Sequence, residues 1–319
     1  MLVVDNRWAG QNGIGRYAKE VLSRLTVPWE PIEPSGSPSS PQDFLLKNLR
    51  VNGTRPTAIY SPGYNGFLRN IPQTITVLDL IHLESPGSVK YRPYYDLFLK
   101  PLLRKNRHVI TISDTSKKQI ERWIGDPRVD VINAGMGSAA EFALEGKRIS
   151  AERPYFLYVG NLRTHKNVST IVEAMKYLAD SDLYIVSSDQ SGVAALSEKY
   201  DVADRVKIFS GVGDEELASL YRGARATLQP SLLEGFGLPA QESALCGTPV
   251  IFWDGCESVK EICAGGGLPV MNAKDAREWA SVMAEVREGQ SFPSGVVYPA
   301  RYSWADVGRE VSAAVAQHS

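Results

Sequence analysis

Two carboxylates, Glu234 and Glu242, stand eight positions apart in the stretch Ser231-Leu-Leu-Glu-Gly-Phe-Gly-Leu-Pro-Ala-Gln-Glu242. Between them lie a glycine-flanked turn, Gly235-Phe236-Gly237, and then Leu238 and Pro239. Proline suits the first turn of a helix, where its missing N–H would be unpaired in any case. Gly247 and Pro249 end that helix, and residues 250–253 read as the next buried strand. A glycine turn feeding a helix N-terminus offers free N–H groups and about half a positive charge to an anion. Carboxylates beside a phosphate cradle would be repelled by the phosphate, so they make better acceptors for hydroxyls attached to it. A nucleotide sugar carries hydroxyls on both sides of its diphosphate. Glu234 would take the sugar and Glu242 the ribose, each charged hydrogen bond contributing about 1.5–3 kcal/mol. The plainer alternative is a turn and helix with two surface glutamates.

A second group of candidates is Gly160-Asn161-Leu-Arg163-Thr-His-Lys166-Asn167, which follows a strand and leads into a helix. Arg163 and Lys166 could bracket a diphosphate, the arginine by its planar fork and the lysine as a point charge. The plainer reading is a solvated basic turn. Leu78-Asp79-Leu80-Ile81-His82 ends a strand of the first half, and Ser113 stands where a helix N-cap is expected. Residues 90–107 mix Tyr91, Tyr94, Tyr95, Phe98 and Leu102 with Lys90, Arg92, Lys100, Arg104, Lys105 and Arg107. Such a segment fits an anionic lipid surface or an ordinary half-buried helix.

The Glu234–Glu242 stretch resembles the Glu-x7-Glu signature of retaining glycosyltransferases of the GT-B fold, family 4. The resemblance runs along most of the chain and is best over residues 155–262. It implies that Glu234 holds the donor sugar, that the Gly235-Phe236-Gly237-Leu238 backbone meets sugar and phosphates, and that Glu242 binds the ribose. Gly13-Ile14-Gly15-Arg16-Tyr17 is similar to the family loop whose backbone approaches the donor phosphates and sugar. At Gly160 and Asn161 many members carry arginine after the glycine; Arg163 would substitute, and Lys166 keeps the basic position. The family usually has histidine where this chain has Leu78, which leaves Asp79 in its motif position and His82 or another group to do the positioning. His82 and Ser113 fall on the acceptor side. Asp180-Ser181-Asp182 is a literal Asp-x-Asp, the metal motif of a different glycosyltransferase fold. Here it precedes a strand, at the amino end of the sheet, and reads as a solvated turn.

The elements that must hold these residues are short apolar strands alternating with helices. In the second half, strands are expected at 155–159, 183–186, 206–209 and 226–229. Between the first two lies a helix carrying Val168, Ile171, Val172 and Met175 on one face. That alternation implies a parallel sheet covered on both faces, with ligands at the carboxyl ends of its strands. The first half is less regular. Strands are expected at 2–4, 75–78, 109–112 and 129–132, with an amphipathic helix from Ile14 and an irregular proline-rich loop over 26–43. The expected architecture is α/β: GT-B, two Rossmann-like doubly wound parallel-sheet domains facing across a cleft. Residues 1–150 would form the acceptor-side domain, with the helix at about 304–319 packing back on it, and 151–303 the nucleotide-sugar-binding domain.

With 319 residues, 43% of them hydrophobic, the chain can bury two sizeable cores, and a net charge of −1 gives no global attraction to nucleic acid. Three cysteines are too few and odd in number for a disulfide framework and fit a reducing cytoplasm. No apolar run reaches the ~20 residues that span a bilayer, and no signal peptide is expected from the first residues.

Taken together, these features predict a cytoplasmic, metal-independent retaining glycosyltransferase, possible contact with the inner face of the plasma membrane being carried by 90–107. It would move a hexose or deoxyhexose (mannose, rhamnose or glucose type) from a nucleotide diphosphate sugar to a glycan or lipid-linked acceptor in bacterial surface polysaccharide or glycoconjugate synthesis. No further cofactor and no nucleic-acid partner are expected. The alternatives are a GT-B-fold nucleotide-sugar epimerase and a catalytically inactive nucleotide-sugar-binding paralogue.

Overall fold

The computed structural model describes residues 1–8, 10, 13–32, 56–84, 88–286 and 303–317. The chain divides into two units, Met1–Gly137 with Pro299–Ser319, and Ser138–Tyr298. The division falls at residue 137, ahead of the expected 150. The Arg222 guanidinium collects the carbonyls of Glu141, Ala143 and Lys147 and so ties this segment to the second unit.

In the first unit the strands are β1 (Leu2–Asp5), β2 (Trp29–Ile32), β3 (Ala58–Ser61), β4 (Gln73–Thr76), β5 (His108–Thr111) and β6 (Asp130–Asn133). They form one parallel sheet in the order β2-β1-β3-β4-β5-β6. Helices α1 (Gly13–Leu22), α2 (Ile81–Glu84), α3 (Arg92–Tyr94), α4 (Lys100–Asn106) and α5 (Asp114–Ile124) connect them, and a wide π-type turn over Tyr95–Leu99 joins α3 to α4. The inner face of α1 buries Tyr17, Ala18, Val21 and Leu22, as its periodicity requires.

Three features of this unit correct the sequence. The supposed loop over 26–43 contains β2, with Pro31 opposite Val4. β2 is the edge strand, the position in a sheet that tolerates proline; residues 33–43 of that loop lie outside the described residues. Strand β3 was not anticipated. Strand β4 ends at Thr76, so Leu78 and Asp79 lie beyond it rather than at its last position.

The second unit holds β7 (Tyr155–Val159), β8 (Asp182–Val186), β9 (Val206–Phe209), β10 (Ala226–Gln229), β11 (Val250–Trp253) and β12 (Leu268–Val270), a parallel sheet ordered β12-β11-β10-β7-β8-β9. Its helices are α6 (Val168–Ala174), α7 (Gln190–Lys199), α8 (Asp214–Gly223), α9 (Leu238–Leu245), α10 (Glu257–Cys263) and α11 (Ala276–Glu285). Side chains of β7 alternate between two cores. Phe156 and Tyr158 join Ile171, Val172, Trp279 and Met283, whereas Tyr155 and Leu157 join Leu220 and Tyr221. The last helix, α12 (Trp304–Ala316), belongs to the first unit. Trp304 meets Tyr17 edge-on at 6.2 Å, and the Thr26 N–H donates to Ser312 Oγ at 3.1 Å.

Each sheet reverses its winding once, between β1 and β3 in the first and between β7 and β10 in the second. Loops leaving two adjacent strands in opposite directions open a crevice at the carboxyl ends, the usual ligand position in such sheets.

Candidate functional site

In the second unit, the loop after β7 and the loop after β10 meet at that reversal. The Leu232 N–H donates to the His165 carbonyl at 2.7 Å and locks them together. Lys166 Nζ lies 2.6 Å from Glu234 Oε1. The same oxygen also accepts from Gln229 Nε2 at 2.9 Å and from Ser231 Oγ at 2.7 Å. Glu234 Oε2 accepts no hydrogen bond from the described residues. The pair is only partly shielded, with side-chain exposures of 18% for Lys166 and 9% for Glu234. Ser258 Oγ donates to the Glu234 carbonyl at 2.8 Å and fixes the backbone beneath the carboxylate.

Beyond Glu234 the chain passes Gly235 and the buried Phe236 to Gly237, whose φ of +106° is a left-handed conformation open to glycine. That residue is the N-cap of α9, which begins at Leu238 with Pro239 in its first turn; its carbonyl takes the Ala240 N–H at 2.9 Å and the Gln241 N–H at 3.2 Å, and the Leu238 N–H makes no hydrogen bond among the described residues. One turn further, Glu242 is buried, and its Oε2 accepts from Tyr221 OH at 2.9 Å. Burial and the neighbouring Glu242 push the Tyr221 phenol well above its usual range, so it remains a donor. Gly160 closes β7 with its N–H on the Val186 carbonyl at 3.0 Å. Asn161 is exposed, its Oδ1 taking the Arg163 N–H at 3.1 Å, and Arg163 itself is exposed. The structure thus brings Lys166 and Glu234 together and leaves the Arg163 side chain in solvent.

Four contributors to this arrangement were given no role from sequence: Gln229, Ser231, Ser258 and His165. Gln229 had a visible signal, a polar residue ending the short strand Ala-Thr-Leu-Gln, which is buried along its whole length. Its Oε1 is buried with no hydrogen-bond partner among the described residues. Flipping the amide would point that oxygen at Glu234, so the donor orientation is the favourable one. His165 is held below its ordinary value of 6.5 by burial and then by Lys166, with Glu234 opposing. Burial and Glu234 push the Cys256 thiol up to about 12.

In the first unit, Gly13 and Gly15 open α1, and a Cβ on Gly15 would lie 2.5 Å from the Gly10 nitrogen. Arg16 is half-buried on that helix. Asp79 Oδ1 accepts from Tyr64 OH and from the Ile81 N–H, each at 3.1 Å. His82 sits among rings, 5.7 Å from Tyr64 and 5.2 Å from Tyr91, with Tyr95 OH 3.4 Å from its Nδ1. Leu78 is buried. Ser113 caps α5, accepting the Ser116 N–H at 2.9 Å.

Asp180-Ser181-Asp182 is not a solvated turn throughout. Ser181 and Asp182 are buried, and Asp182 is paired with Arg153 at 3.6 Å and Lys207 at 3.4 Å, because it opens β8 inside the sheet. Among the described residues no group of three or more His, Cys, Asp or Glu side chains is arranged to hold a metal ion. Cys246, Cys256 and Cys263 are buried free thiols. No helix among the described residues is long and apolar enough to cross a membrane.

Two parallel α/β sheets with this reversal define the GT-B fold. A sucrose-phosphate synthase from Thermosynechococcus elongatus shares it, with a TM-score of 0.66 at 18% identity over 99% of this chain and 94% of that one. Residues 141–294 match the family Glycosyl transferases group 1. The O-antigen chain mannosyltransferase RfbU of Salmonella typhimurium is 30% identical over 254 residues, covering 76% of this chain and 69% of that protein. A D-inositol 3-phosphate glycosyltransferase of Mycobacteroides abscessus is 27% identical over 232 residues, covering 63% of this chain and 49% of that protein. The chain belongs to the group 1 glycosyl transferases and is a glycosyltransferase.

Proposed function

We propose that this chain transfers a hexose, of mannose type, from a nucleotide diphosphate sugar to a hydroxyl of a glycan or lipid-linked acceptor, with retention of configuration and without a metal. The observation that carries the reading is the Lys166–Glu234 pair at the winding reversal, beside the start of α9. Lys166 and Glu234, a cation and a carboxylate in contact, hold each other in place. A diphosphate sugar offers each a better partner, phosphate oxygens for Lys166 and sugar hydroxyls for Glu234. Glu242, oriented by Tyr221, would receive the ribose hydroxyls. The bond from the anomeric carbon to phosphate oxygen breaks, and the bond to the acceptor oxygen forms on the same face. The acceptor proton passes to the departing phosphate oxygen. The electrostatic task is the charge developing on the diphosphate, which Lys166 and the Leu238 amide hydrogen at the start of α9 would meet.

Mannose is favoured by the name of the Salmonella relative. The Mycobacteroides relative is named for a different acceptor, so the two support glycosyl transfer jointly and the acceptor only separately. Lys166→Ala and Glu242→Ala should each lower transfer from a GDP- or UDP-sugar roughly 10²–10³-fold with unchanged circular dichroism, and chelator should leave the wild type active. Near-normal turnover in both variants would refute the assignment.

A further inference from the structure

We propose that a cavity at the amino ends of β7, β10 and β11 binds a phosphate-bearing small molecule, at the opposite end of the sheet from the Lys166–Glu234 pair. The cavity lies wholly within the second unit, between residues 148–155, the end of α8 and the turn that joins α9 to β11. Its volume is about 410 Å³, inside the range of roughly 300–1,000 Å³ that small-molecule sites occupy.

Its lining identifies the ligand. Arg148, Arg153, Arg222 and Arg225 face the cavity against a single carboxylate, Glu152. The chain as a whole has 35 basic and 36 acidic residues, so this excess is local. The four guanidinium groups come from two separate segments and are unequally engaged. Arg222 is buried, and its Nε and Nη1 donate to the carbonyls of Lys147, Glu141 and Ala143. No carboxylate pairs with it among the described residues, although buried charges are ordinarily paired. Arg153 is held by Asp182 at 3.6 Å and Arg225 by Asp180 at 3.5 Å, both carboxylates standing outside the cavity lining. Arg148 is exposed, and its side chain makes no hydrogen bond or ion pair among the described residues. It stands close enough to Tyr155 to oppose the rise that burial gives that phenol.

A recess lined by arginine forks matches a group with several equivalent oxygens, because guanidinium and phosphate pair through parallel hydrogen bonds. The carboxylates behind Arg153 and Arg225 orient those forks without entering the recess. Ala151, Pro154 and Ala224 supply an apolar part of the wall, against which the uncharged remainder of a phosphorylated molecule would rest. This inference does not depend on the donor chemistry proposed above.

The test is isothermal titration calorimetry of the full chain with inorganic phosphate and, separately, with glucose 6-phosphate. Wild type and Lys166→Ala should bind with the same affinity, with a Kd no weaker than about 1 mM. Arg148→Glu should weaken binding roughly tenfold or more at unchanged melting temperature, since it reverses an exposed charge that touches nothing else. Ala151→Trp, which fills the cavity without altering its charge, should weaken it likewise. Tighter binding of glucose 6-phosphate would assign the site to a phosphorylated metabolite and equal binding to the free anion, and either supports it. Absence of saturable binding by both probes would overturn the proposal. So would binding that Lys166→Ala abolishes and Arg148→Glu leaves intact, since the phosphate would then sit at the other end of the sheet.

Discussion

The two winding reversals carry an ion pair each, and they use it differently. At the reversal between β1 and β3, Arg7 grips Asp5 through two contacts, 2.8 Å to Oδ1 and 2.5 Å to Oδ2. The Arg7 N–H adds a third at 3.2 Å, and Asn65 Nδ2 a fourth at 2.6 Å. Asp5 is fully buried and Arg7 only 9% exposed. The Trp8 ring covers the site, so close to Gly63 that a Cβ there would lie 2.4 Å from it, and its indole N–H bonds Asn65 Oδ1. Both carboxylate oxygens are saturated from within the unit. At the reversal between β7 and β10, three donors crowd onto Glu234 Oε1, and Oε2 receives none from the described residues. A saturated, capped pair holds a fold together; the half-satisfied, partly exposed pair is the one that the proposed function would have exchange partners with a donor. The same position in two similar sheets has been filled in one and kept open in the other.

The sharpest way to break this comparison is Arg7→Ala. Stranding a buried carboxylate costs about 3–5 kcal/mol, so its melting temperature should fall by roughly 6–20 °C. Lys166→Ala, from the half-satisfied pair, should melt within a few degrees of wild type. If the two variants melt alike, the contrast between a structural pair and an open one is wrong.

A smaller effect is expected from Gln229→Leu. Leucine fills a similar space, removes the orphaned acceptor and withdraws one donor from Glu234. Stability should hold or rise, because an unsatisfied buried polar atom costs about 1–3 kcal/mol. Donor KM should rise several-fold with kcat less affected, and restoring an amide with Gln229→Asn should recover part of the loss. An unchanged KM would mean that Ser231 and Lys166 alone fix the carboxylate.

The smallest effect concerns pH. His165 titrates below 6.5 when folded, so the unfolded chain takes up its proton first as pH falls. Its contribution to stability is complete above 6.5, declines as pH drops below that value, and levels off beneath the folded pKa. Calorimetry on wild type and His165→Asn across this range should show a steeper acid-side fall for wild type. Parallel curves would remove His165 from the account.

The open site was the more legible because its parts are contiguous. Glu234, the glycine turn, Pro239 and Glu242 fall within nine residues, and Lys166 follows six positions after Gly160, in the loop that leaves a strand. The strands over 155–159, 206–209, 226–229 and 250–253 have the observed bounds, since each is an apolar run wedged between turns. The filled site was illegible because its parts are scattered: Asp5, Arg7, Trp8, Ser61, Gly63 and Asn65 come from two strand ends more than fifty residues apart. Strand β2 was hidden by its proline.

Local sequence determined the alternation of strand and helix, the glycine turns and the helix starts, because those follow from side-chain periodicity and backbone freedom within a few residues. It also supplied the acidic and basic groups. Which of them meet was decided by strand order. Only the adjacency of β7 and β10 puts Lys166 against Glu234, sixty-eight positions away. Only packing turned Asp96 inward and left Leu97 and Phe98 outside. Such pairings depend on which surfaces are buried together, a property no local window of the chain contains.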